Sequence, residues 1–147
     1  MYNALVEMFC SGCPDQINAC DKITVSFNAP TITVRNLITR AVSEQVRLLN
    51  TQSSIDLHAK RLRMERQYLS EQDVKELAEK GRIVFENEST QLVLNVEACI
   101  RTALEGFRRR RFIISVNGTQ PERLSDHVVL LPNTEVLFAR IVPLAGG

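Results

Sequence analysis

The fold of this chain is decided by the stretch ITVSFNAPTITVRNLITRAV, residues 23–42, in which one hydrophobic period gives way to another. In its first part apolar and polar side chains alternate, which indicates a strand with one buried face. NAPTIT interrupts that strand, and the apolar residues then recur at helical spacing, giving the stripe Val34, Leu37, Ile38, Ala41, Val42, Val46 and Leu49. Thr33 fits the N-cap of this helix, and Ile32 and Leu37 fit the two positions of a hydrophobic staple. The stretch therefore predicts a strand that leads through a short break into an amphipathic helix.

Further strands are predicted on both sides of this stretch. ALVEMFC, residues 4–10, is short and apolar, and a loop rich in Gly, Pro, Asp and Asn joins it to KITVSF. Towards the other end, FIISV is followed by a turn at Asn117-Gly118, a polar connection through Leu124, a second turn at PNTE and the strand EVLFARI. The order strand, strand, helix, insertion, strand, strand does not alternate as βαβ units do. It predicts an α+β fold in which a single helix packs across a mixed sheet of four or five strands.

The middle of the chain, from about residue 51 to 107, is more highly charged and has a weaker hydrophobic period. A first helix is predicted over 55–69, with a thin apolar stripe of Ile55, Ala59 and Leu62. A second is predicted from the cap Ser70 to a stop at Gly81, with an apolar face of Val74, Leu77 and Ala78. A third follows the cap Asn95 and is expected to bury Val96, Cys99, Ile100, Ala103, Leu104 and Phe107. These helices are interpreted as an insertion that lies outside the unit of sheet and helix.

Composition places the chain among globular proteins and excludes several classes of function. At 147 residues, with 44% apolar and 24% charged residues, it is long enough for one domain with its own core. The net charge of +1 gives no overall field that would attract nucleic acid or an anionic membrane, so neither is expected as a partner. No apolar run approaches the ~18 residues needed to cross a bilayer, and no signal peptide follows Met1. A cytoplasmic protein is therefore expected.

Three of the four cysteines, Cys10, Cys13 and Cys20, lie close together in sequence, whereas Cys99 stands apart. They are weak candidates for a metal site, because structural zinc requires four ligands, usually in two pairs, and only one pair is present here. Reduced thiols are the first expectation in the cytosol, with zinc binding and a disulfide or redox role as the alternatives. No bound metal is expected.

With this order of elements the chain resembles the ubiquitin-like β-grasp family. The likeness is strongest to the prokaryotic branch that contains the molybdopterin synthase small subunit and the sulfur carrier of the thiamine pathway. It is carried by residues 23–42, by the strands of residues 112–141 and by the Gly-Gly pair that follows them. The segment 51–107 is much longer than the small sulfur carriers have between helix and third strand. The resemblance implies a β-grasp sheet with one packed helix and a long helical insertion.

The resemblance also implies a chemistry for the tail IVPLAGG, in which residues 142–147 are expected to be flexible. In family members an activating enzyme consumes ATP to adenylate the carboxyl group of the last glycine, here Gly147, which makes the protein a co-substrate without catalytic residues or bound cofactors of its own. Gly146 and Gly147 lack Cβ atoms, so the backbone can enter a narrow channel. The stem that would contact the partner enzymes is Val142, Pro143, Leu144 and Ala145. A flexible stub or a tag scar is the alternative.

Three functions remain open at this point. The first is a modifier, passed as a thioester to a conjugating enzyme and joined to target proteins by an isopeptide bond that an isopeptidase could cleave. The second is a sulfur carrier with a Gly147 thiocarboxylate, which serves a synthase for molybdopterin, thiamine or a related product. The third is a non-conjugated interaction module. Bacterial conjugation operons, some of them concerned with antiphage defence, are a setting implied by the resemblance alone.

The run FRRRRF places Arg108, Arg109, Arg110 and Arg111 between the third helix and the next strand. A solvated helix end, favourable to the helix dipole, is one interpretation of these four cations. A docking patch for an acidic partner is the second interpretation. Nucleic-acid binding is the third, although no interleaved aromatic residues support it. His58 and His127 are not placed in any motif of a catalytic nucleophile, and a structural role is expected for His127.

Overall fold

The computed structural model describes residues 2–10, 22–51, 64–65, 67–69, 73 and 94–140. The named elements within these residues are six strands and two helices. In chain order they are β1 (Tyr2–Cys10), β2 (Lys22–Phe27), β3 (Thr31–Thr33), α1 (Val34–Thr51), α2 (Val96–Arg108), β4 (Ile113–Val116), β5 (His127–Val129) and β6 (Thr134–Arg140). The predicted α+β class is confirmed.

Four strands form one mixed sheet in the order β2-β1-β6-β4. The two central strands, β1 and β6, run parallel, with Ala4 beside Thr134 at one end and Cys10 beside Arg140 at the other. Both outer strands pair antiparallel to their neighbours. The first and last described strands are therefore neighbours in the middle of the sheet.

A second, two-stranded sheet joins β3 to β5. Thr31, Ile32 and Thr33 pair with Val129, Val128 and His127. Both strands were absent from the sequence expectations, which placed a break at NAPTIT and a polar connection before PNTE. Each strand has only three residues, too few to display an alternating period, and each is defined by pairing with the other.

The helix α1 begins and packs as predicted. The Oγ1 of Thr33 accepts a hydrogen bond from the backbone N–H of Asn36 at 3.2 Å, which confirms the N-cap. All seven residues of the predicted apolar stripe are buried, and they share one core with the inward side chains of the large sheet. The inward side chains of the sheet include Ala4, Val6, Ile23, Val25, Phe27, Ile114, Val116, Val136 and Phe138.

The helix α2 is also capped as predicted, since Asn95 Oδ1 accepts from the backbone N–H of Ala98 at 2.9 Å. Of its expected apolar stripe, Cys99, Ala103 and Phe107 are buried, and Ile100 and Leu104 are half-buried. The prediction for Val96 is wrong, because this first helical residue is 38% exposed. Buried instead are two small residues that the hydrophobic pattern did not single out, Ala98 and Gly106.

The expectation that the inserted segment lies outside the main unit is wrong for its described part. α2 packs against α1, and Met64 and Tyr68 are fully buried in the same core. A second helix therefore belongs to the layer beside the sheet. The predicted apolar positions Ile55, Ala59, Leu62, Val74, Leu77 and Ala78, with Ser70 and Gly81, lie outside the described residues.

Within the part of the chain that the structure describes, neither helix combines the length and the apolar character that a membrane crossing demands.

Candidate functional site

The tail predicted to carry the reactive group, residues 142–147, lies outside the described residues. The structure does define the strand that precedes it. β6 ends at Arg140, between β1 and β4, and Arg140 is paired in register with Cys10 at the end of the parallel β1. The tail therefore follows a central strand of the sheet in sequence, with one residue, Ile141, between them.

The four consecutive arginines lie where α2 ends. The backbone N–H of Arg110 donates to Phe107 O at 2.9 Å, and that of Arg111 donates to Gly106 O at 2.8 Å. This pair of bonds is the Schellman arrangement, in which the residue after the C-cap takes the left-handed conformation and is usually glycine. Here that residue is Arg110, with φ of 60°. The chain thus places an arginine at a position that glycine favours.

Ion pairs involve three of the four consecutive arginines. Arg111 Nε lies 3.2 Å from a carboxylate oxygen of Asp73, and Arg109 Nη1 lies 3.5 Å from the other. Because Asp73 is nearly buried, these contacts tie α2 to the inserted segment. Arg108 and Arg109 both bind Glu105 at 3.0 Å. Arg108, Arg109 and Arg111 are therefore engaged within the protein, whereas Arg110 has no ion pair among the described residues.

The neighbouring arginines change the pKa of the Glu105 carboxyl group. Desolvation raises its pKa, but the hydrogen bonds and charges of Arg108 and Arg109 together outweigh desolvation and lower the pKa below its usual range. Glu105 therefore stays ionised and offsets part of the positive charge at this end of α2.

A surface depression of about 610 Å³ opens beside the same helix end. Within the described part of the chain, its charged lining is Arg35, Arg108, Arg110 and Arg123, with Glu122 as the acidic member, and Thr33, Phe107, Leu124 and Ser125 also line it. We call this depression the arginine groove. Among the described residues, no carboxylate forms an ion pair with Arg35, Arg110 or Arg123. The arginine groove brings Arg108 and Arg110 of the predicted patch together with two arginines that are distant in sequence, Arg35 and Arg123.

Backbone hydrogen bonds hold the parts of the arginine groove together. The N–H groups of Val34 and Arg35 at the start of α1 donate to Asp126 O at 2.9 Å and Leu124 O at 3.1 Å. These bonds attach the loop before β5 to the start of α1, so that Arg35 and Arg123 line one surface.

The same loop is braced by the side chain of Asp126. Its Oδ2 accepts from the backbone N–H groups of Glu122 at 3.1 Å and Arg123 at 3.0 Å. These two bonds are the main reason that the pKa of Asp126 lies below its ordinary value. The position of Arg123 is thus set by a local hydrogen-bonded turn.

The cysteines do not form a site within the described residues. Cys10 ends β1, whereas Cys13 and Cys20 lie outside the described part, as does His58. Cys99 is a free thiol inside the core, where burial raises its pKa to about 12. No group of three or more His, Cys, Asp or Glu side chains in the described ranges is placed to hold a metal ion. His127 is exposed on β5, opposite Thr33.

No family model, curated protein or solved structure matches the chain. Function is therefore inferred from the residues and their arrangement. Sequence reasoning did not find Arg35 and Arg123 as site residues, because tertiary packing brings them to α2. The one local signal for a site residue was Arg35 itself, a cation in the first turn of α1, where acidic residues are favoured by the helix dipole.

Proposed function

We propose that this chain is a ubiquitin-like β-grasp protein that is conjugated to target proteins through the carboxyl group of Gly147. The observation that supports the proposal most is the combination of sheet and tail. The sheet order β2-β1-β6-β4, with β1 and β6 parallel in the centre and a helix between β3 and the later strands, is compatible with a β-grasp. The Gly146-Gly147 pair follows the central strand β6 after a short apolar stem.

The length of the tail suits delivery of a carboxyl group to a partner enzyme. The segment 141–147 follows Arg140 directly, and seven extended residues span at most about 25 Å. That is far enough for Gly147 to reach an enclosed active site while the folded sheet stays outside it. The absence of Cβ atoms at both glycines permits close backbone approach along such a channel.

The chemistry follows from the family that the chain resembles. The Gly147 carboxylate attacks the α-phosphorus of ATP in the activating enzyme, and pyrophosphate leaves. A cysteine thiolate of that enzyme then displaces AMP to form a thioester. Transfer to a conjugating enzyme and attack by a lysine amine release the thiol and leave an isopeptide bond. A cytoplasmic setting would supply the ATP and the reduced thiols that these steps need.

The proposal can be tested in the native host with a chain that carries an affinity tag ahead of Met1. Trypsin cuts after Arg140, so each acceptor lysine should carry the remnant IVPLAGG, residues 141–147. Mass spectrometry of denatured, purified material would detect that remnant on target proteins. Deletion of Gly146 and Gly147 should abolish these adducts, whereas Arg101→Gln, an exposed change on α2, should preserve them.

Other outcomes would favour the alternatives. Intact chain whose mass reflects exchange of one oxygen for sulfur, with no lysine remnants, would indicate a sulfur carrier that forms a Gly147 thiocarboxylate for a synthase. Full function of the chain without Gly146 and Gly147 would reject both readings of the tail and indicate an interaction module. Remnants on Lys22, Lys60, Lys75 or Lys80 would show that one copy accepts another.

A further inference from the structure

We propose that the arginine groove is a docking site for an acidic peptide segment of a partner protein. The inference concerns a surface of the folded domain and does not depend on activation of Gly147. It rests on the charge of the groove, on the unfavourable positions of two of its arginines and on the chemistry of its lining.

The first observation is an excess of positive charge. Among the described residues that line the groove there are four guanidinium groups and one carboxylate, that of Glu122, and one of the four, Arg108, is paired with Glu105. Within the described part of the chain, Arg35, Arg110 and Arg123 have no ion pair, whereas the neighbouring Arg109 and Arg111 are paired with Asp73. Like charges around one depression repel each other, and an anion that enters it removes this repulsion. The groove therefore offers charge complementarity to an acidic ligand.

The second observation is that two of these arginines occupy positions that cost folding stability. Arg35 is in the first turn of α1, which contains no acidic residue, so its charge opposes the positive end of the helix dipole. Arg110 has φ of 60° at a position where glycine would be free of strain. Neither placement helps the fold, and both direct positive charge to the same depression.

The lining favours carboxylates on a peptide over the phosphates of nucleic acid. Guanidinium groups bind carboxylates through two parallel hydrogen bonds, and the half-buried Leu124 provides apolar surface for a peptide side chain. Single-stranded nucleic acid needs exposed aromatic rings for base stacking and a charged track for its phosphates. Among the described lining residues the aromatic ring is that of Phe107, which is buried, and the net charge of the chain is only +1.

The test uses the full chain and a fluorescein-labelled hexaglutamate peptide, with fluorescence anisotropy as the readout. We expect saturable binding that weakens as salt is added, and no binding of a hexalysine peptide. The double variant Arg35→Gln/Arg110→Gly should bind hexaglutamate at least about tenfold more weakly, since each lost charge-assisted hydrogen bond reduces affinity substantially. Its Tm should equal or exceed that of the parent, because both substitutions relieve an unfavourable placement.

The matched control is Lys22→Gln/Arg47→Gln, which removes the same amount of charge from exposed positions outside the groove. This control should retain the parent affinity. Equal loss of affinity in both double variants, or no saturable binding of hexaglutamate at all, would overturn the proposal. So would tighter binding of a single-stranded oligothymidylate than of hexaglutamate, which would assign the groove to nucleic acid.

Discussion

At the scale of single residues, Gly106 shows how closely two parts of the chain approach each other. A Cβ atom at this position would overlap the backbone oxygen of Tyr68. At an exposed helix position Gly→Ala stabilises by about 1 kcal/mol, but here the methyl group would push against a backbone atom that cannot simply move aside. The small residue is therefore required by packing.

We expect Gly106→Ala to lower the free energy of unfolding by about 1–3 kcal/mol, the usual effect of overpacking a core. Urea denaturation followed by circular dichroism measures the change. Arg101→Ala, an exposed position on the same helix, is the control and should lie within about 0.5 kcal/mol of the parent. A more stable Gly106→Ala variant would show that α2 and Tyr68 are not in contact.

Cys99 illustrates the effect of burial on a reactive group. Since burial raises its pKa from 9.0 to about 12, the thiol stays protonated at neutral pH and cannot act as a nucleophile. We expect iodoacetamide to leave Cys99 unmodified in the native protein at pH 8 and to alkylate it in urea, as peptide mass spectrometry can determine. Burial of the neutral thiol favours the fold below about pH 9, and this contribution is lost progressively as pH rises towards 12. Rapid native alkylation of Cys99 would contradict its placement in the core.

At the scale of elements, α2 depends on its cap. Asn95 stands in an extended conformation and accepts a hydrogen bond from the first turn, which would otherwise contain a free N–H group. Asn95→Ala should therefore lower the free energy of unfolding by about 1 kcal/mol, as measured by urea denaturation. Asn95→Asp keeps the acceptor oxygen and should restore most of the loss. Equal losses in the two variants would show that the side-chain oxygen does not stabilise the helix.

The length of each element explains whether the sequence could predict it. β1, β2, β6, α1 and α2 each contain enough residues to display a period of two or 3.6, and local caps such as Thr33 mark where the helices begin. β3 and β5 are too short to show a period. The burial of Gly106 and the convergence of Arg35 with Arg110 depend on contacts between distant segments, which no local pattern contains.

At the scale of the whole molecule, a buried hydrogen bond joins the middle segment to the main helix. Tyr68 Oη donates to Gln45 Oε1 at 2.7 Å, and both side chains are buried between α1 and the inserted segment. The ring of Tyr68 also packs edge-on against Phe112, with ring centroids 5.1 Å apart. The described part of the insertion is thus continuous with the core.

We expect Tyr68→Phe to lower the free energy of unfolding by about 1–2 kcal/mol, because Gln45 Oε1 loses its buried donor. Gln45→Met removes the acceptor, and the double variant should be more stable than the sum of the two single losses predicts. Urea denaturation of the four proteins gives the coupling energy, for which we expect about 1 kcal/mol. Strict additivity would mean that the two groups do not interact.

The parallel pairing of β1 with β6 has a mechanical consequence. Their register extends from Ala4 beside Thr134 to Cys10 beside Arg140. Pulling β1 by its amino end and β6 by its carboxyl end would load the hydrogen bonds between them in shear, all at once, whereas an antiparallel hairpin pulled from its open end separates bond by bond. A motor that grips the chain beyond Arg140 would therefore meet its strongest resistance at the first strand it tries to extract.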